Sequence, residues 1–280
     1  MKISVITVAY NSVKTIQSTL ESVLGQAHQD VEHILVDGNS TDGTQALIRS
    51  YERENLRWIS EPDQGIYDAM NKGLQIATGE IIGFLNADDF YKDANVLTQV
   101  ASTFQQWQVD SVYSDLAYVD EEDTTKIIRF WKSGPYKPGS FLLGWMPPHP
   151  TFFAKRAIYQ QYEGFDVRLK SAADYELMLR FIHKHQISIA YIPQVLVMMR
   201  TGGISNRNVL NRLKANTEDR RAWQMNNLHP YPFTLLLKPL RKIEQFLFNS
   251  HKKELKEQLN GYSAGVKLGI HSNMATLHVN

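Results

Sequence analysis

Two adjacent carboxylates close the run Asn86-Ala87-Asp88-Asp89, which directly follows the apolar stretch Ile81 to Leu85. At the exit of a buried strand, two ionised carboxylates repel each other unless a cation or hydrogen-bond donors compensate them. A hard cation, Mg²⁺ or Mn²⁺, suits carboxylate oxygens and shares its shell with substrate phosphates, so Asp88 and Asp89 are candidate metal ligands. An Asp pair also caps a helix well, because carboxylates favour the positive end of the helix dipole. The run alone does not separate these two readings.

Asp37 opens a second polar run, Gly38-Asn39-Ser40-Thr41-Asp42-Gly43. Its glycines have the spacing of a phosphate loop, but Thr44 stands where the lysine would begin, so the phosphate-gripping cation is missing. No Gly-x-Gly-x-x-Gly follows a strand, which removes the usual dinucleotide fingerprint. A carboxylate such as Asp37 can instead accept a uracil imide N–H or a ribose hydroxyl. An Asx turn leading into a helix cap fits the same loop equally well. The absence of cysteine excludes disulfides, thiolate zinc sites and a cysteine nucleophile, and fits a reducing compartment. A net charge of +1, from 30 basic and 29 acidic residues, argues against a duplex nucleic-acid partner.

Both runs depend on the strands they terminate. Apolar runs of strand length alternate with segments of helical period from Ile3 to Leu85. Strands are expected at Ile3 to Ala9, His33 to Val36, Leu56 to Ile59 and Ile81 to Leu85, with helices between them. This pattern predicts an α/β fold with a mainly parallel sheet covered on both faces, in which ligands sit beyond the carboxyl ends of the strands. All four strand ends are polar: Ala9-Tyr10-Asn11-Ser12, the Asp37 loop, Glu61-Pro62-Asp63-Gln64-Gly65 and Asn86-Ala87-Asp88-Asp89. Further on, strands are expected at Ser111 to Tyr118, Ile127 to Trp131, Ile187 to Ile192 and Val195 to Met199, and a helix from Asp174 to His185. The N-terminus reads as a strand rather than a signal peptide, no stretch is apolar enough to span a bilayer, and the cytoplasm is the expected location.

The motifs Thr7-Val8-Ala9-Tyr10-Asn11, Val36-Asp37-Gly38-Asn39-Ser40-Thr41-Asp42-Gly43-Thr44, Glu61-Pro62-Asp63-Gln64-Gly65 running on to Asn71-Lys72-Gly73, and Leu85-Asn86-Ala87-Asp88-Asp89 occur in this order. Together they resemble family-2 glycosyltransferases of the GT-A fold, in particular the bacterial branch that assembles exopolysaccharide, colanic-acid or O-antigen repeat units. The resemblance covers residues 1–205. It implies a Rossmann-like nucleotide-sugar-binding half (1–110), an acceptor-binding half (111–205) and a helical, basic-amphipathic C-terminal extension (206–280). It further implies that Thr7, Val8, Ala9, Asn11 and Asp37 hold the nucleotide base, that Asp63 lies near the nucleoside, and that Asn71, Asn86 and Ala87 border the donor. Asp88 would bind the metal on the diphosphate, with Asp89 a second ligand. The family often has an aspartate where this chain has Asn86 and a basic residue at Met70.

Inverting sugar transfer needs a base for the acceptor hydroxyl. Lys170-Ser171-Ala172-Ala173-Asp174-Tyr175-Glu176 resembles the family's acidic motif ahead of its base-bearing helix, and Asp174 falls on the base; Ala173 replaces a glutamate often found beside it. His149, in Met146-Pro147-Pro148-His149-Pro150, would contact the donor diphosphate, the metal or the acceptor, and Arg200 would neutralise the leaving group. Trp131 and Trp145 either stack on sugar faces or fill the core. The implied donor is a nucleotide-diphosphate sugar, with UDP favoured, and the acceptor a saccharide or polyprenyl-linked saccharide. In the tail, basic residues beside apolar ones over 231–256 suit an anionic membrane surface, and equally a helix packed on the catalytic domain or on a second copy in a homo-oligomer. Two rival functions are kept: a nucleotidyltransferase, which this chain fits less well for want of a lysine-bearing Gly-rich loop, and a noncatalytic sugar-nucleotide-binding subunit.

Overall fold

The computed structural model describes residues 1–202 and 209–238. Its first two strands, β1 (Ile3–Ala9) and β2 (Val31–Asp37), are buried along their whole length. Strands with neighbours on both edges and cover on both faces read as continuous apolar runs rather than alternating ones. Between them, α1 (Ile16–Leu24) turns Ile16, Thr19, Leu20 and Val23 inward on one helical face. From β2 the chain passes through α2 (Thr44–Ser50) to β3 (Leu56–Ser60), then through α3 (Ile66–Ile76) to β4 (Ile81–Phe84). These four strands lie side by side in the order β3-β2-β1-β4, all parallel. Ala9 is level with Asp37, and Asp37 with Ser60, so three strands end on one rim.

The second half adds β5 (Asp89–Tyr91), α4 (Val96–Trp107), β6 (Ser111–Val119), β7 (Ile127–Trp131), β8 (Phe153–Lys155), α5 (Arg156–Tyr162), α6 (Ala173–Met178), β9 (Ile189–Arg200) and α7 (Val209–Met225). The sheet continues past β4 through β8, β6 and β9 to β5. β6 runs parallel to β9 and antiparallel to β8 and β7, and β8 runs antiparallel to β4. The expected mainly parallel α/β sheet flanked by helices is therefore present, with antiparallel strands inserted in its second half. Gly83 in β4 makes the junction with β8 possible, since a Cβ there would lie 2.3 Å from the Phe153 ring.

Several elements differ from the sequence expectation. The two strands expected at Ile187 to Ile192 and Val195 to Met199 are one strand, β9, whose register against β6 jumps from Ile192 to Val195. Pro193 and Gln194 form the irregularity, the place where a residue without an N–H is tolerated in a sheet. The helix expected from Asp174 to His185 is α6 followed by a π-helical segment, Leu179–Lys184. β5, α4, β8 and α5 are additional elements. β5 and β8 are three residues each, too short to show alternation, whereas α4 buries Val96, Leu97, Val100, Ala101 and Phe104 at helical spacing. Trp145 lies in the core, its Nε1 donating to the Ser133 carbonyl at 2.8 Å; of its two readings, the stacking platform for sugar does not apply. Met70 is also core, 2% exposed.

One face of the sheet packs Ile6, Ile34 and Phe84 with Met70, Tyr175 and Leu177, and Trp223 of α7 belongs to that same cluster. The other face packs Ile3, Val5 and Ile81 with Leu97, Val100 and Phe104 of α4. No helix among the described residues is long and apolar enough to cross a membrane.

Candidate active site

The loops after β1, β2 and β3 are stitched together by short side chains. Asn11, at φ 49°, adopts the left-handed conformation that asparagine tolerates. Its N–H donates to Ser40 Oγ at 2.8 Å and its Oδ1 accepts the Thr41 N–H at 3.0 Å. Asp37 is fully buried; its Oδ2 accepts the Ser40 N–H at 3.0 Å and the Ser60 hydroxyl at 2.6 Å. Its Oδ1 is buried and has no hydrogen-bond partner among the described residues. A buried carboxylate oxygen without a donor is costly, and it marks a place where a ligand N–H or O–H would be welcome. Next to it the backbone of Gly38 is closely approached, since a Cβ there would lie 2.5 Å from Asp63 Oδ2 and 3.3 Å from the Tyr10 ring. Asp63 holds its own turn through Oδ1, which accepts the Gly65 N–H at 2.8 Å. Tyr10 is 67% exposed, an aromatic face open on the rim that the sequence reading did not single out. Val8 and Ala9 are buried, and the Ala9 carbonyl accepts the Gly38 N–H at 2.8 Å.

Beyond β4 the two carboxylates part company. Asp88 is partly buried, and among the described residues no side chain donates a hydrogen bond to its carboxylate. Burial raises its pKa, opposed by a hydrogen bond from its own backbone N–H and by the charge of Arg200 and reinforced by the charge of Glu121. Asp89, in β5, is fully buried; Asn86 Nδ2 donates to its Oδ2 at 3.0 Å and its Oδ1 has no partner. Burial, and then the charge of Asp88, hold Asp89 well above the usual carboxylate range. An amide at position 86 thus supplies a donor where an aspartate would add a third negative charge. Ala87 is buried against Ala9 and Leu35. Arg200 gives Nη1–H to the Asp88 carbonyl at 2.7 Å and Nη2–H to Ser18 Oγ at 3.0 Å, and lies 5.1 Å over the Phe90 ring. The end of β9 is thereby tied to the loop after β4, with a cation beside two acids.

No three His, Asp or Glu side chains converge to hold a metal among the described residues. A cation that takes most of its shell from phosphate and water needs only one or two carboxylates from the protein, however. The carboxylate of Asp88, which no side chain among the described residues engages, fits such a cation; Asp89 stands behind it, withdrawn from solvent.

Asp174 lies at the start of α6, and Tyr67, the second residue of α3, donates its hydroxyl to Asp174 Oδ1 at 3.1 Å across 107 residues. Because α3 starts just after the carboxyl end of β3, this bond holds Asp174 on the rim where the strands end. Burial, and then the adjacent Asp174 charge, push the Tyr67 hydroxyl well up. The Tyr67 ring stacks on Phe165 at 5.5 Å, and His149 meets Phe165 edge-on and stacks on Phe84, both at 5.5 Å. Burial lowers the pKa of His149, with the Asp174 charge pulling the other way. His149 Nε2 has no hydrogen-bond partner among the described residues. The cluster offers a carboxylate, a hydroxyl and an imidazole side by side.

Two residues of the expected donor set have their side chains engaged elsewhere. Thr7 Oγ1 is 3.0 Å from Nε2 of buried His33, within the sheet. Asn71 makes a two-bond clamp on Phe165, donating from Nδ2 to its carbonyl at 2.8 Å and accepting its N–H at 2.9 Å. Sequence reasoning passed over Tyr67, Ser40, Ser60 and Ser18; only Tyr67 carried a signal, as a polar aromatic at the start of a helix that follows a rim loop.

The sequence model of the family described as Glycosyl transferase family 2 matches residues 4–162. An uncharacterized glycosyltransferase of Mycobacterium tuberculosis (strain CDC 1551 / Oshkosh) is 31% identical over 180 residues, which are 64% of this chain and 68% of that protein. A PGL/p-HBAD biosynthesis glycosyltransferase of Mycobacterium bovis (strain BCG / Pasteur 1173P2) is 29% identical over 222 residues, covering 76% of this chain and 84% of that one. Among solved structures, S. aureus TarS 1–349 in complex with UDP-GlcNAc shares the fold with a TM-score of 0.63 at 21% identity, over 81% of this chain and 65% of that one. The mannosyltransferase PcManGT from Pyrobaculum calidifontis, in complex with GDP-Man and Mn²⁺, gives a TM-score of 0.61 at 18% identity, over 98% of this chain and 80% of the other.

Proposed function

We propose that this chain, which belongs to glycosyl transferase family 2, moves a sugar from a nucleotide-diphosphate donor to a hydroxyl of a saccharide or lipid-linked saccharide. The observation that carries the reading is the buried Oδ1 of Asp37, without a hydrogen-bond partner among the described residues, on the same rim as the Asp88 carboxylate, to which no described side chain donates. The first suits a base or ribose donor group, and the second suits the cation on a diphosphate. Tyr10 supplies a ring face beside Gly38 for the base, and Asp63 borders the nucleoside. UDP-GlcNAc and GDP-Man in the two fold relatives support the donor class, and Mn²⁺ in one of them supports a divalent cation.

In this reading Asp88 would hold the cation, which when bound stabilises charge on the leaving diphosphate. Arg200 adds a fixed positive charge on the same side. Asp174 accepts the proton of the acceptor hydroxyl as its oxygen attacks C1, and the bond from C1 to the diphosphate oxygen breaks. This single displacement inverts C1 and needs no covalent enzyme intermediate. Tyr67 holds the carboxylate of Asp174 by its Oδ1, and Thr7 and Asn71 serve as packing residues behind the donor rather than contacts to it. Residues 1–110 form the donor half and 111–205 the acceptor half. Tyr231, Phe233 and Leu236 of the C-terminal extension are exposed, which supports its contact with a membrane surface at the inner face of the cell membrane. The rest of the expected amphipathic stretch, 239–256, and the loop residues 203–205 lie outside the described residues.

Calorimetric titration of the protein with UDP, GDP and dTDP, with and without Mn²⁺, tests the donor site. Metal-dependent binding of one nucleotide that Asp88→Ala abolishes supports the reading. Failure of a folded protein to bind any of the three overturns it.

A further inference from the structure

Asp174 is gripped on both sides by one helix. Ahead of it, the Glu218 carboxylate of α7 accepts the Lys170 N–H at 3.0 Å, the Ser171 N–H at 2.7 Å and the Ser171 hydroxyl at 2.8 Å. Behind it, Trp223 Nε1 donates to the Tyr175 hydroxyl at 2.9 Å, and Asn226 Nδ2 donates to Glu176 Oε1 at 2.8 Å. Lys238, paired with Asp219 at 2.7 Å, lies 3.8 Å over the Tyr175 ring. The N-cap of α6 is Ala172, whose side chain cannot cap, and the N–H groups of the two residues before it, Lys170 and Ser171, find their acceptor in Glu218 of α7. Glu218 lies beyond residue 162, where the family match ends.

We propose that Glu218 is a positioning residue for sugar transfer: it fixes the backbone of Lys170 and Ser171 so that the Asp174 carboxylate stands at the acceptor hydroxyl, and α7 is thereby part of the catalytic unit. The proposal rests on Asp174 being the base. It follows from the geometry of the grip. Tyr67 meets Asp174 at Oδ1 and at its backbone N–H, and Glu218 fixes the two residues that lead into it, so the position of the carboxylate depends on both holds. A displacement of about 1 Å in a reacting group costs up to roughly a hundredfold in rate. The segment that Glu218 holds meets the donor rim through Lys170 Nζ, which donates to the Gln64 carbonyl at 3.4 Å, a long contact to the loop after β3 that makes no bond to Asp37 or Asp88.

The experiment uses the full chain as wild type, Asp174→Asn, Glu218→Ala and Glu218→Gln. UDP affinity is measured by calorimetry, backbone exchange over residues 165–178 by hydrogen–deuterium mass spectrometry, and nucleotide release from UDP-glucose, UDP-N-acetylglucosamine and GDP-mannose by coupled assay. For Glu218→Ala, exchange should rise in that segment and kcat should fall about tenfold to a hundredfold with donor KM and UDP affinity within about twofold of wild type. Glu218→Gln, which keeps one acceptor oxygen in place, should recover part of kcat. A protein that merely loses stability would not show this split or this rescue. Wild-type kcat or wild-type exchange in Glu218→Ala, with Asp174→Asn inactive, overturns the proposal alone. Unchanged turnover in Asp174→Asn removes the base assignment, and the proposal with it.

Discussion

Asp37 and Asp174 both stand on the rim where the parallel strands end, yet they are held by different means. Asp37 ends a strand and bonds to a residue three positions on and to its neighbour in register on β3. Asp174 is held by Tyr67 from 107 residues away, while α7 grips the residues on either side of it. The donor side is thus a property of the sheet and its tight loops, and the base side a property of three distant segments meeting. A change in the extension should therefore reach catalysis without reaching nucleotide binding, and a change in the sheet should do the reverse.

The sharpest test of that division is Asp174→Asn. General-base catalysis contributes about 10²- to 10⁴-fold, so turnover should fall by roughly a thousandfold while calorimetry finds UDP bound as before. A parallel loss of UDP affinity would mean that the two regions are one. Asp88→Ala gives the mirror image: a drop of about a hundredfold in Mn²⁺-dependent nucleotide affinity, with exchange over residues 165–178 unchanged. If exchange there rises as well, the donor rim is not independent of the base side.

The scaffold under the donor rim has its own signature. Burial pushes His33 down to about 3, whereas an unfolded chain protonates it near 6.5. Between those values the unfolded state binds the extra proton, so stability falls as pH falls, by about 1.4 kcal/mol per pH unit from this residue. Urea midpoints recorded from pH 7 to 4.5 should show this slope, and His33→Gln should flatten it; an equal slope in both proteins would mean that other groups govern acid unfolding. The smallest effect expected is that of Tyr67→Phe, which keeps the stacking on Phe165 and removes one hydrogen bond to Asp174. The net value of such a bond is about 1 kcal/mol, so kcat should drop roughly fivefold with UDP affinity unchanged. A kcat equal to wild type would show that the backbone grip alone orients the base.

The rim was legible because its causes are local. Continuous burial of β1 and β2 shows as apolar runs; Asp37 closes one such run directly, and Asp63 and Asp88 stand within a few residues of the ends of β3 and β4. The sequence also marked Asp174 by resemblance. It gave no sign of Asn71 as a clamp on Phe165 or of Thr7 as a partner of His33, because the same residue types at the same motif positions serve a ligand or a neighbour equally well. Trp145 was ambiguous for the same reason, and burial among Tyr113, Tyr136 and Phe141 decided it.

Hydrophobic period and the polar ends of the strands determined the α/β class, the parallel first half and the rim on which chemistry would occur, because these depend on neighbours within a few residues. Tertiary structure alone decided that Asp89 is withdrawn while Asp88 stays partly open, that Tyr67 reaches Asp174, and that Glu218 holds the loop before it. Those outcomes depend on which surfaces bury which groups, and contacts across 47 to 107 residues leave no periodic trace in the chain.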